Sequence, residues 1–149
     1  MKKIIPDFKM IYFIDTNIFL RTLIKEDEKA YRDCYSFLQA VKVNKYEAVT
    51  SYITLAEIVW TLSSYYQFPK SQVIKGINGV INLRGLSLID NFNMSQALIL
   101  FKNNNVKYID SLVASIPELQ VKKWSIVSYD RDFDKLGILR IEPQKLINS

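Results

Sequence analysis

The 149-residue chain contains no histidine. That absence removes Ser-His-Asp and Cys-His hydrolases, His-Glu-x-x-His metalloproteases and two-histidine ribonucleases. A hydrolase built from this chain must use carboxylates, a metal, Lys or Tyr. Cysteine is almost as scarce. Cys34 stands alone, so no internal disulfide can form, and zinc-ribbon and thioredoxin-like readings fail. Set among Tyr31, Tyr35, Phe37 and Leu38, it reads as a buried small hydrophobe rather than a nucleophile. A reducing cytoplasm is its natural compartment. Only 4 Gly and 4 Pro argue against a loop-dominated or disordered chain. No apolar run approaches the roughly 18 residues needed to cross a bilayer. The opening Met1-Lys2-Lys3-Ile4-Ile5 resembles a signal peptide only until Pro6 and Asp7 interrupt it, and no small-residue cleavage site follows. A cytoplasmic protein with no membrane segment is the expectation.

What is present suits one globular domain over residues 1–149, with 49% hydrophobic and 23% charged residues. A chain of this size buries roughly 68–70% of its unfolded surface, enough for a core without staples. The net charge is +5 and the sequence pI about 9.2, which favours polyanionic partners, chiefly nucleic acid.

Short apolar runs alternate with amphipathic stretches. Strands are expected over Met10–Ile14, Glu47–Thr50, Leu86–Ile89, Trp124–Ser128 and Leu139–Ile141. Helices are expected after Asn17, over Glu28–Val43, from Ser51 or Thr54 to Tyr66, over Lys70–Leu83 and Met94–Lys102, and from Asp110 onward, with Pro117 kinking or restarting the last. In the third helix Leu55, Val59, Leu62 and Tyr66 form an apolar stripe. Ile58 and Trp60 lie off it, so cover on more than one side is expected. The alternation implies an α/β fold with a parallel sheet covered on both faces. In such sheets ligands bind beyond the carboxyl ends of the strands, at a switch point.

Asp15 and Asp130 lie just past expected strand ends, which places them on that edge of the sheet, and Glu57 and Asp110 are the other two acidic residues singled out. Each also has an ordinary structural explanation. Asp15-Thr16-Asn17 is a favoured helix cap. Thr54-Leu55-Ala56-Glu57 fits a capping box. Asp110 can cap the helix it opens, and Asp130 lies in an Asp-rich turn with Asp132 and Asp134. Of those three, Asp130 is nearest the strand end and is the expected ligand, Asp132 is second, and Asp134 belongs to the surface. Together the carboxylates would repel one another unless a divalent cation lay between them. Mg²⁺ and Mn²⁺ prefer such hard oxygen ligands. Thr16, Asn17 and Ser128 could orient ligands or waters from behind. Arg21, Lys25, Arg131 and Lys135 lie near the acidic motifs and are candidate phosphate contacts on a nucleic-acid backbone.

Ile14-Asp15-Thr16-Asn17, Leu55-Ala56-Glu57-Ile58, Asp110-Ser111-Leu112-Val113-Ala114 and Ser128-Tyr129-Asp130-Arg131-Asp132-Phe133 together resemble the PIN-domain nucleases. The resemblance runs over nearly the whole chain. In size and organisation the chain is most similar to the compact toxins of VapBC toxin–antitoxin pairs. The resemblance implies a three-layer α/β/α sandwich around a parallel sheet of about five strands. It implies an endoribonuclease dependent on Mg²⁺ or Mn²⁺, with Asp15 and Asp110 as direct metal ligands and Asp130 completing the site. Glu57 would ligate directly or through water. A homodimer and a small antitoxin partner are further implications. Ser128 stands where the family commonly has Thr, keeping the hydroxyl, and Pro117 breaks a helix the family continues. An RNA-processing nuclease without an antitoxin is an alternative within the same family, and two readings of other kinds compete. One is a non-catalytic RNA-binding or assembly module of the same fold. The other is an aspartyl-phosphate phosphohydrolase, which Asn17 disfavours because those enzymes carry a second Asp there.

Overall fold

A computed structural model describes residues 9–148 of the protein, so the opening Met1–Asp7 lies outside the described residues. Five strands form one sheet: β1 (Ile11–Ile14), β2 (Glu47–Ser51), β3 (Leu86–Ile89), β4 (Trp124–Val127) and β5 (Arg140–Ile141). Their order is β3-β2-β1-β4-β5 and every pairing is parallel. The helices are α1 (Thr16–Leu23), α2 (Glu28–Lys42), α3 (Tyr52–Trp60), α4 (Lys70–Ile81), α5 (Met94–Asn103), α6 (Tyr108–Ala114), α7 (Pro117–Gln120), α8 (Asp132–Lys135) and α9 (Gln144–Ile147). This is the expected parallel α/β sandwich.

The strands explain the layers. Successive strand residues point to opposite faces. Ile14, Ala48 and Val127 join a core cluster with Ile18, Phe37, Ile58, Val80 and Leu146, from α1, α2, α3, α4 and α9. Their neighbours Phe13, Val49 and Ile126 join a second cluster with Val113, Leu119 and Phe133, from α6, α7 and α8. A sheet apolar on both faces needs helices on both, and the period-two split assigns one cluster to each side. From β1 the chain builds outward through β2 and β3, then returns to the other flank of β1 with β4. The crevice between the ends of β1 and β4 is therefore the switch point.

The third helix departs from expectation in part. Its buried line is Thr54, Ile58 and Leu62, whereas Val59 is 38% and Trp60 65% exposed. The helix packs against both α1 and α4, so it is covered on more than one side, but Trp60 stays uncovered among the described residues. Past Trp60 it widens into a π-helical turn, Thr61–Tyr65. Pro117 restarts the chain as the first residue of α7, where a missing N–H costs nothing.

Gly85 shows how tightly the layers meet. Its φ is +88°, and a Cβ there would lie 2.4 Å from the Val41 carbonyl oxygen. Gly85→Ala should therefore destabilise the protein by at least roughly 1–3 kcal/mol through backbone strain alone. An unchanged urea midpoint would contradict this close approach of α2 to the start of β3.

Candidate metal centre

Asp15 follows β1 directly and caps α1, as the cap reading expects, and the cap leaves it at the carboxyl end of the strand. Its Oδ1 accepts from the Thr16 amide at 2.8 Å. Its Oδ2 accepts from Ser128 Oγ at 2.5 Å and from Asn17 Nδ2 at 3.1 Å. Ser128 Oγ also accepts from Asn17 Nδ2 at 3.2 Å and from the Asp130 amide at 3.0 Å. Asn17 and Ser128 thus tie the ends of β1 and β4 together across the switch point. Thr16 contributes its backbone amide to that knot.

Asp110 lies on the opposite layer. It is not a cap: Lys107 holds that position and Asp110 is the third residue of α6. It is 7% exposed. Its Oδ2 is buried with no hydrogen-bond partner among the described residues, as is the neighbouring Ser111 Oγ. Glu57 is not a capping-box residue either. Ser51 caps α3 by accepting from the Thr54 amide at 3.1 Å, so Glu57 lies one turn further in and is half-buried.

Asp15 and Asp110 each feel the charges of Glu57 and Asp130. Burial pushes Asp15 up to about 6, with Ser128 and Thr16 opposing and the charges of Glu57 and Asp130 adding. Burial, then the charges of Asp130 and Asp15, push Asp110 up to about 7; Lys107 opposes and Glu57 adds. Desolvation and like-charge repulsion both penalise the ionised forms.

The tightest convergence is a different set. Carboxylate oxygens of Asp110, Asp130 and Asp132 all lie within 4.8 Å of one another. Asp132, expected behind Asp130, stands beside it because its amide donates to Asp130 Oδ1 at 2.9 Å, folding the turn back on itself. Asp134 is surface-exposed, as expected, and pairs with Arg140.

Of the four basic residues singled out in the sequence, Arg21 lies 5.7 Å from the Tyr129 ring centre and Lys25 4.7 Å from that of Tyr31. Lys135 pairs with Asp132 at 3.0 Å. Arg131 is exposed. Sequence reasoning passed over Lys107, whose charge reaches Asp110. A lysine three residues before a helical Asp was the available signal. Cys34 is fully buried, 3.5 Å from Tyr129 Oη, and burial pushes its thiol up to about 11. It is no nucleophile.

The family model for the PIN domain matches residues 12–139. The chain belongs to the PIN-domain family. Asp15, Glu57, Asp110, Asp130 and Asp132 all fall within the matched span. This PIN domain is similar to the crystal structure of VapBC2 from Rickettsia felis bound to a DNA fragment from their promoter. The TM-score is 0.62 over 89% of this chain and 98% of that one, at 19% identity, a likeness of fold. No curated protein matches the sequence. Family membership makes a nuclease the coarse reading of the chain.

Proposed function

We propose that this PIN domain is a metal-dependent endoribonuclease, the toxin of a toxin–antitoxin pair, acting in the cytoplasm. The observation that carries the metal is Asp110, whose buried Oδ2 has no hydrogen-bond partner among the described residues and whose carboxylate lies against those of Asp130 and Asp132. A buried carboxylate oxygen without a donor costs several kcal/mol unless a counter-charge meets it. Every nearby donor is a hard oxygen, which fits Mg²⁺ or Mn²⁺. Asp110, Asp130 and Asp132 would hold the ion, with Asp15 and Glu57 beside them. When bound, the cation lowers the pKa of water and offsets charge building on a phosphodiester.

The chain's own residues do the rest. Ser128 and Asn17 hold the Asp15 carboxylate in one orientation, so its charge is directed into the crevice rather than lost to solvent. With no imidazole in the chain, proton handling falls to the carboxylates, and the raised values at Asp15 and Asp110 bring it near neutral pH. The excess of Lys and Arg draws a polyanion towards a site that is itself acidic. Arg21, Lys25, Arg131 and Lys135 would then contact the RNA backbone around the site. The likeness to VapBC2 supports the toxin reading and a small antitoxin partner; a homodimer is part of the same proposal.

The test uses the purified full chain and structured RNAs. Cleavage should require Mg²⁺ or Mn²⁺, cease in EDTA and be lost in Asp15→Asn and Asp110→Asn. Cleavage that persists in EDTA would refute the mechanism. RNA binding without products, indifferent to both substitutions, would instead make the chain a non-catalytic module. Growth arrest on expression, relieved by the product of a small neighbouring reading frame, tests the toxin reading.

A further inference from the structure

We infer that Arg140 is a positioning residue for the metal centre: its guanidinium straps both ends of the loop that presents Asp130 and Asp132. The inference rests on the metal reading above. Arg140 stands on β5, outside the acidic cluster, and its side chain is only 12% exposed. Nη1 donates to the Ser128 carbonyl oxygen at 3.1 Å. Nε and Nη2 donate to Asp134 Oδ1 and Oδ2 at 3.1 and 3.2 Å, a two-point fork. Nη1 also donates to Glu142 Oε2 at 3.1 Å, and Glu142 Oε1 is held by Gln144 Nε2 at 3.0 Å.

Ser128 and Asp134 are the two ends of the turn, and the carboxylates that approach Asp110 lie between them. The near end is pinned twice more, by the Ser128 amide donating to the Ile141 carbonyl at 3.1 Å and by Ser128 Oγ on Asp15. The far end has the Arg140 fork. Within the turn the Asp130 and Asp132 amides fold onto Ser128 Oγ and Asp130 Oδ1. Two carboxylates pressed towards a third repel it, and Lys135 offsets only the Asp132 charge from an exposed position, so a tether from outside the turn helps keep it closed. One rigid guanidinium can span three acceptors at fixed angles, which a lysine ammonium cannot. Asp134 is 53% exposed, so the ion pair by itself adds little stability. The strap's effect should therefore show in ligand geometry rather than in melting temperature.

The test is Mn²⁺ affinity of the metal-free full chain, read from the free-ion paramagnetic resonance signal, with melting temperatures measured alongside. Arg140→Lys keeps the charge and removes the fork. It should weaken Mn²⁺ binding roughly tenfold or more, the usual scale for a group that orients metal ligands. Asp134→Asn should do the same from the far end, and the double variant should lose no more than the worse single one. Val73→Ala, remote from the site in the other core cluster, should lower the melting temperature and leave Mn²⁺ affinity unchanged. Native affinity in Arg140→Lys, or an equal loss in Val73→Ala, would overturn the inference while leaving the metal centre intact. A native chain that binds no Mn²⁺ would overturn both.

Discussion

Asp110→Asn will make the metal-free protein more stable and the protein given metal inert. The carboxyl sits at about 7 in the fold through burial and the charges of Asp130 and Asp15, far above an unfolded aspartate. The folded state therefore binds this proton more tightly than the unfolded state. Its contribution to stability is fully present below the unfolded value, near pH 4, and is lost as pH rises through 7. At pH 8 the ionised, unpartnered group costs the native fold on the order of 3 kcal/mol. Asparagine has the same shape and no charge, so it removes that cost. In EDTA, Asp110→Asn should melt above the native chain at pH 8, and the gap should close towards pH 4. Comparing variant with native at each pH cancels the titrating groups remote from Asp110, while Asp15, Asp130 and Glu57 also feel the loss of its charge. Mn²⁺ should raise the native melting temperature at pH 8 and leave the variant unmoved. RNA cleavage should fall by at least about a hundredfold, a floor taken from the smaller effect of losing a residue behind a metal ligand. A variant less stable than native at pH 8 in EDTA would mean that Oδ2 has a partner in the folded protein.

Phe37→Ala should cost the fold about as much without touching the chemistry. Phe37 is fully buried on α2, edge-on to Tyr12 at 6.5 Å and tilted against Tyr46 at 5.9 Å. Removing the ring loses its transfer energy and leaves a cavity that the sheet cannot collapse to fill. Losses of this kind run about 3–5 kcal/mol. For a chain of this length that is roughly 10 °C or more in melting temperature. The urea midpoint should fall with it, while Mn²⁺ affinity below the transition stays native. A loss under about 1 kcal/mol would mean that the first cluster tolerates the gap, against the close packing expected of such a core.

The fold was legible because its signals are local and repeated. Short β-branched runs followed by amphipathic stretches are enough to announce a parallel sheet with helices on both faces. Pro117 is equally plain, since a residue without an N–H can restart a helix but not continue one. The errors came where two local signals competed. Thr54 and Glu57 spell a capping box, but Ser51 lies three residues earlier and takes the Thr54 amide first. Asp110 looked like a helix opener, yet the helix begins at Tyr108. The third helix is covered on more than one side, but not at Trp60, because hydrophobicity cannot say which side of a helix meets its neighbours. The Asp130-Arg131-Asp132 turn was the hardest part. Alternation in sequence suggests opposite directions, and only the turn's own hydrogen bond brings both carboxylates to Asp110. Arg140 gave no motif at all, because its acceptors are a carbonyl and two surface acids in different segments.

The pairing of β1 with β4 also has a consequence for timing. Ile11 is paired with Trp124, and Asp15 with Ser128, so the two halves of the knot are made more than a hundred residues apart. During synthesis, β1, β2 and β3 can meet in order, but the other flank of β1 stays open until β4 emerges. Until then the first carboxylate lacks its serine, and Asp130 and Asp132 have yet to follow. Such non-local closure also slows folding relative to a fold of local contacts. A ribosome-bound chain ending short of Ser128 would therefore carry Asp15 without the hydroxyl that holds it in the finished fold.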